Sequence, residues 1–154
     1  MRRPKFRGFS KVINSWHYGH GWFEIDYTEE YLLEKGIEKQ AMLYTEAYPI
    51  ECELKSMGEY TGLKDKHGTE IFEGDIIYWE INNGVGIESY TAVVKWSENL
   101  VKEGWNQTYK WLVGYTGNYY RGSYDELSTP AAYNDELQVI GNIYENPELL
   151  EGTA

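Results

Sequence analysis

The chain has 154 residues, enough for one domain with a real core or for a roll with a smaller appended lobe, since at this size about 68% of the unfolded surface can be buried. Six Trp and fifteen Tyr favour strands over long helices, because large flat side chains pack well across a pleated surface. The formal charge of −11 excludes a broad electropositive surface for duplex DNA.

Charge is unevenly spread. Five of the 14 basic residues, Arg2, Arg3, Lys5, Arg7 and Lys11, precede the first acid, Glu24, so a basic arm leads into an acidic body. Such an arm either balances acidic neighbours and guards an edge strand, or it contacts phosphates. Cys52 stands alone, which excludes an internal disulfide framework and fits a reducing compartment. Arg2 and Arg3 are not followed by the apolar run of a signal peptide, and no stretch is long enough to span a bilayer. The expectation is a cytoplasmic protein with no membrane partner.

In chain order, Lys5–Ile13 is expected as a weakly alternating strand, 14–21 as a turn rich in Asn, Ser and Gly, and Trp22–Ile25 as the next strand. Asp26 and Glu29 have the spacing of a capping box, and Gly36 follows Lys35 as a stop, which predicts a short helix over Tyr27–Lys35. Met42–Lys55 reads as an edge strand interrupted at Pro49. Asp65-Lys66-His67-Gly68 has the chemistry of a tight turn, an Asx side chain bonding the backbone ahead of it and a glycine accepting positive φ, so its flanks should pair.

Beyond that turn, Glu73-Gly74-Asp75 predicts a bend or bulge before the apolar strand Ile76–Ile81. Asn82-Asn83-Gly84 predicts a turn into Tyr90–Trp96, a half-buried strand with Tyr90, Ala92, Val94 and Trp96 on one face. Tyr109–Tyr115 follows as a strand, and 116–133 is too punctuated by Gly and Pro for a continuous element. Leu137–Tyr144 closes the sheet, and Asn146-Pro147-Glu148 starts a last helical turn. The core is expected from Phe6, Ile71, Phe72, Ile76, Val94, Leu112, Val139, Ile140 and Ile143.

Glu59–Ile77, reading EYTGLKDKHGTEIFEGDII, resembles the signature block of the YopX family of phage and prophage proteins. Lys5-Phe6-Arg7 is similar to that family's KFRAW opening, and Val139–Leu150, VIGNIYENPELL, to its closing segment. Gly8-Phe9 stand where the family usually has Ala-Trp, and His67 where Asn is usual. The resemblance implies a mainly β protein: an SH3-like β-roll or barrel with a smaller N-terminal β-rich lobe and one or two short helices. It is either one YopX-like domain over 1–154 or a lobe over 1–57 followed by a roll over 58–154. The resemblance carries over no catalytic, cofactor or metal residues and no established biochemical activity, and with no catalytic motif in the sequence the expectation is a protein that is not an enzyme.

Four groupings carry chemistry of their own. His17 and His20, three apart, have chelating spacing but lack a second ligand pair, so loop histidines beside aromatics are the simpler reading. Cys52 has no visible catalytic partner and reads as a small core residue. Glu70, Glu73 and Asp75 form an acidic cluster that reads as a solvated rim rather than as a metal or acid/base site. Tyr115, Tyr119, Tyr120 and Tyr124 around Arg121 are the patch with recognition character, since aromatic faces and a guanidinium anchor protein partners or stack bases.

These readings converge on a non-catalytic phage or prophage accessory protein with no cofactor, acting in the bacterial cytoplasm as an interaction module for a phage or host protein. Self-association is compatible with the sequence. The alternatives are a single-stranded nucleic-acid binder using the basic arm and the tyrosine loop, and a hydrolase working from the acidic cluster.

Overall fold

The computed structural model describes residues 4–82, 84–96, 111–115, 124–126 and 137–150, with the side chains of 111–115 and 124–126 outside that description. The chain is mainly β and divides into two compact units, Met1–Tyr60 and Thr61–Ala154.

In the first unit, β1 (Phe6–Ser10) and β2 (Ser15–Gly19) form an antiparallel hairpin with Phe6 opposite Gly19 and Ser10 opposite Ser15. The strand over 15–19 replaces the turn expected there. The reversal falls at 11–14, where Asn14 takes φ 57°, and the cross-strand contact of Phe9 with Trp16 holds the returning strand despite its turn-forming composition. Three further strands, β3 (Gly21–Glu24), β4 (Gln40–Tyr44) and β5 (Pro49–Glu53), form a second antiparallel sheet in that order.

Met42–Lys55 is therefore two strands of a hairpin rather than one interrupted edge strand. Pro49 opens β5, a position that asks nothing of its missing N–H, and Thr45 shapes the turn by accepting from the Tyr48 and Ala47 amides. The helix α1 (Glu29–Lys35) starts two residues later than expected. Its cap is Thr28, whose hydroxyl accepts from the Tyr31 amide at 3.1 Å, and Gly36 ends it in the left-handed conformation as the sequence predicted.

The core of the first unit is small. Leu43, Ile50 and Cys52 are buried with Phe6 and Met57 packed against them. Burial, helped by the charge of Glu51, pushes the Cys52 thiol up to about 11, so it stays protonated at neutral pH and behaves as an apolar side chain. A 3-10 turn at Leu54–Ser56 follows β5, and the Ser56 hydroxyl ties it in by accepting from the Phe9 amide at 2.8 Å and donating to the Glu53 carbonyl at 2.6 Å. β6 (Gly58–Lys64) begins in this unit, where Glu59 lies opposite Phe6 and Gly58 opposite Arg7.

In the second unit, the turn after β6 matches the sequence reading. Asp65 Oδ1 accepts from the amides of His67 at 2.8 Å and Thr69 at 2.9 Å, and Gly68 supplies φ 81°. β7 (Glu70–Phe72) returns beside β6, fixed by a bond from Thr61 Oγ1 to the Ile71 carbonyl. Gly74 makes the expected bend, after which β8 (Asp75–Asn82), β9 (Ile87–Trp96), β10 (Trp111–Tyr115), β11 (Tyr124–Glu126) and β12 (Gln138–Asn142) build one antiparallel sheet in the order β11-β10-β9-β8-β12. No closed barrel is present among the described residues.

Two sequence expectations change here. β9 is not buried on one face alone: Ala92, Val93 and Val94 are all buried in succession, so both faces are covered there, while Ile87–Ser89 are exposed. Residues 124–126, inside a stretch too punctuated for an element by its composition, form a short strand because β10 offers a register, Leu112 opposite Glu126 and Gly114 opposite Tyr124.

The core of this unit comprises Ile71, Ile77, Trp79, Ala92, Val94 and Leu137, with Leu63, Tyr90 and Val139 packed against it. Of the predicted core, Ile71, Phe72, Ile76 and Val94 are buried, Phe6 and Val139 are half-buried, and Ile140 and Ile143 are exposed. Leu112's side chain lies outside the description. Ile140 fails because β12 shifts register between Val139 and Gly141, which breaks the simple alternation of its side chains. The last element is the expected 3-10 turn at Pro147–Leu150, but the Asn146 side chain accepts from the Asn142 amide instead of capping it.

Candidate functional site

The tyrosine patch expected from the sequence lies largely outside the described residues: Tyr119, Tyr120 and Arg121 are not described, and Tyr115 and Tyr124 are placed only as backbone, at the ends of β10 and β11. The other sequence candidates are placed. The ring of His17 shares a 2.9 Å hydrogen bond with Ser15 Oγ, and that of His20 a 2.7 Å one with the Pro4 carbonyl. Among the described residues no group of three or more His, Cys, Asp or Glu is arranged to hold a metal ion. Asp75 is buried, its Oδ2 accepting from the Phe72 amide at 2.7 Å, so this member of the acidic cluster serves the bend that leads into β8.

The basic arm is partly built into the fold. Arg7 is buried with its guanidinium 4.8 Å from the centre of the Trp16 ring, and Lys5 sits 5.5 Å from that of Tyr18. Lys11 reaches Glu53 at 2.8 Å, and the other oxygen of that buried carboxylate accepts from Gln40 Nε2.

A surface that the sequence reading did not single out is formed by the β3-β4-β5 sheet. Its pairing sets Phe23 opposite Met42 and Met42 opposite Glu51, and Tyr44 stands two residues along β4 from Met42. Period-two alternation therefore puts these side chains on the side opposite Ala41, Leu43, Ile50 and Cys52, which fill the core. Phe23 is 47% exposed and Tyr44 50%, with ring centres 5.9 Å apart.

The segment leading into α1 extends the same face. Tyr27 donates its hydroxyl to Glu51 Oε1 at 2.9 Å and stacks on Tyr31 at 4.6 Å between ring centres. Its hydrogen bond to Glu51, with burial and that residue's charge, raises the Tyr27 phenol above its ordinary value, so it remains a donor across the physiological range. Lys35 lies over the Tyr31 ring at 5.7 Å. The surroundings are acidic: residues 21–53 contain nine carboxylates and two lysines. Sequence alternation could have suggested this face only if β3 and β4 had been known to pair, because Phe23 and Tyr44 lie 21 positions apart.

The model of the family described as YopX protein matches residues 5–151. The chain belongs to the YopX family. The three segments whose sequence resembles the family's, at residues 5–7, 59–77 and 139–150, fall within this match, on β1, on the β6-turn-β7-bend segment, and on β12 with the last turn. A solved structure, that of protein EF1440 from Enterococcus faecalis, is similar at 19% identity and a TM-score of 0.42, covering 96% of this chain and 97% of that one. Among curated proteins none matches this YopX-family chain. No helix among its described residues is long and apolar enough to cross a membrane.

Proposed function

We propose that this YopX-family chain is a non-catalytic protein-interaction module of phage or prophage origin, acting in the cytoplasm of a bacterial host. The observation that carries the reading is the outer face of β3-β4-β5, where Phe23 and Tyr44 present two adjoining half-exposed rings beside the Tyr27–Tyr31 stack. Rigid aromatic side chains anchored on strands provide large contact area at small entropic cost, and tyrosine in particular is enriched where binding energy concentrates.

Single-stranded nucleic-acid binding is a second reading with one observation behind it. Lys5 over Tyr18 and Arg7 over Trp16 alternate cations with aromatic rings along the β1–β2 hairpin, the composition of a base-stacking groove. Burial of Arg7 weighs against this reading, as does the overall charge of −11.

Affinity capture from prophage-induced cells, with and without nuclease, separates the two. A protein retained through nuclease treatment by the parent chain, and lost when Phe23 and Tyr44 are both changed to Ser, supports the interaction module. Capture that disappears with nuclease, or that ignores the two substitutions, overturns it.

A further inference from the structure

The face that carries the proposed function also has a chemical preference, and the inference drawn from it rests on that reading. Phe23 and Tyr44 are half-exposed rings, whose π electrons attract cations, and Glu51 holds its carboxylate against Tyr27, which is stacked on Tyr31. Glu46 lies exposed in the turn between β4 and β5. Residues 21–53 hold nine carboxylates against two lysines, and with Glu53 neutralised by Lys11 and Glu38 by Lys55 the segment is still net acidic, which disfavours acidic partners and phosphates. Lys35, over Tyr31, shows a cation taking up this arrangement within the chain itself.

We propose that the outer face of β3-β4-β5 binds a cationic, arginine-bearing segment of a partner protein, with guanidinium groups stacked on Phe23 and Tyr44 and paired to Glu51. Arginine suits the site better than lysine because its planar head stacks on rings while its edge pairs with carboxylates, and it sheds water at lower cost. An apolar partner alone would bury the Glu51 carboxylate without a cation, which is unfavourable. Arginine contacts both halves of the surface at once.

The test is fluorescence anisotropy of the full chain with a labelled ten-residue peptide containing four arginines spaced by serine and leucine, and the same peptide with citrulline, the uncharged analogue, at all four positions. The parent chain should prefer the arginine peptide. Changing Phe23 and Tyr44 together to Ser leaves the charge untouched and should weaken binding by about tenfold. Tyr44→Ser alone guards against loss of fold in the double variant and should produce a smaller loss in the same direction.

Glu51→Gln should weaken binding more than Glu148→Gln, which removes an equal charge from the second unit. Equal losses from these two, or a Phe23/Tyr44 variant that binds within about twofold of the parent, would reduce the effect to diffuse charge attraction and overturn the proposal. If the arginine peptide fails while the captured protein still depends on Phe23 and Tyr44, the cation chemistry falls and the interaction module stands. If both are indifferent to those residues, both readings fall.

Discussion

The Val139 amide donates to Asp65 Oδ2 at 2.9 Å across 74 positions of sequence, so a turn side chain in the family's central block holds the first paired residues of the closing strand. The same carboxylate accepts from His67 and Thr69 through its other oxygen, and the Lys66 amide reaches the Leu137 carbonyl at 2.9 Å. One side chain thus shapes a local turn and fastens a distant strand. This accounts for an aspartate at a position where turn formation alone would accept asparagine.

Asp65→Ala should destabilise the second unit. It removes the acceptor of three amides, and each buried donor left without a partner costs about 1–3 kcal/mol, although those in the turn can turn to water. Asp65→Asn should cost less but still lower the urea midpoint, because its amide group faces N–H donors that need an acceptor. An unchanged midpoint in Asp65→Ala would mean that the carboxylate plays no part in holding β12.

Acid should act through the same group. Burial pushes the Asp65 carboxyl up, but the amides of Val139, Thr69 and His67, with the charge of the His67 ring, outweigh it and hold the carboxyl below its ordinary 3.8. The stability it adds is complete above 3.8 and is lost as pH falls through the lower folded value. Burial shifts Glu59 the other way, above its ordinary 4.5, so its charged form costs stability at neutral pH and the cost is relieved on acidification toward 4.5. Melting curves between pH 2 and 7 should show a shallower acid limb for Asp65→Asn, and a higher melting temperature at pH 7 for Glu59→Gln.

Removing residues 139–154 should abolish cooperative unfolding of the second unit. The deletion strips β8 of its partner β12, leaves Asp65 Oδ2 without the Val139 amide and takes Val139 from against the core. Differential scanning calorimetry checks this; a sharp transition near the full-length temperature would show that β12 is dispensable.

Gly8→Ala should destabilise the first unit by about 1–3 kcal/mol through overpacking. A Cβ at Gly8 would lie 2.5 Å from Met57 Sδ and 2.9 Å from the Cβ and Sγ of Cys52. Met57 has a flexible end that can move, but the Cys52 Cβ is tied to the backbone of β5. Chemical denaturation of the single variant measures the cost. No loss would mean that β1 and β5 separate freely, and the family's usual alanine at this position would then fit without change elsewhere.

The local chemistry of the chain was legible in its sequence wherever neighbours in sequence are neighbours in space. Asp65 with Gly68 announced the turn, Gly36 the end of the helix, Gly74 the bend, and the aromatic bias the β class, because each acts through backbone geometry within a few residues. Pairing decided the rest. Ser15–Gly19 reads as loop until β1 gives it a partner, Pro49 reads as an interruption until β4 and β5 fold back on each other, and the exposure of Ile140 follows from a register shift against β8. The face of Phe23, Tyr44, Tyr27 and Tyr31 exists only once β3 lies beside β4 and the Tyr27 hydroxyl meets Glu51. Side-chain alternation is a local property of a strand, but which side meets solvent depends on what packs against the other, and that is set by contacts between residues far apart in sequence.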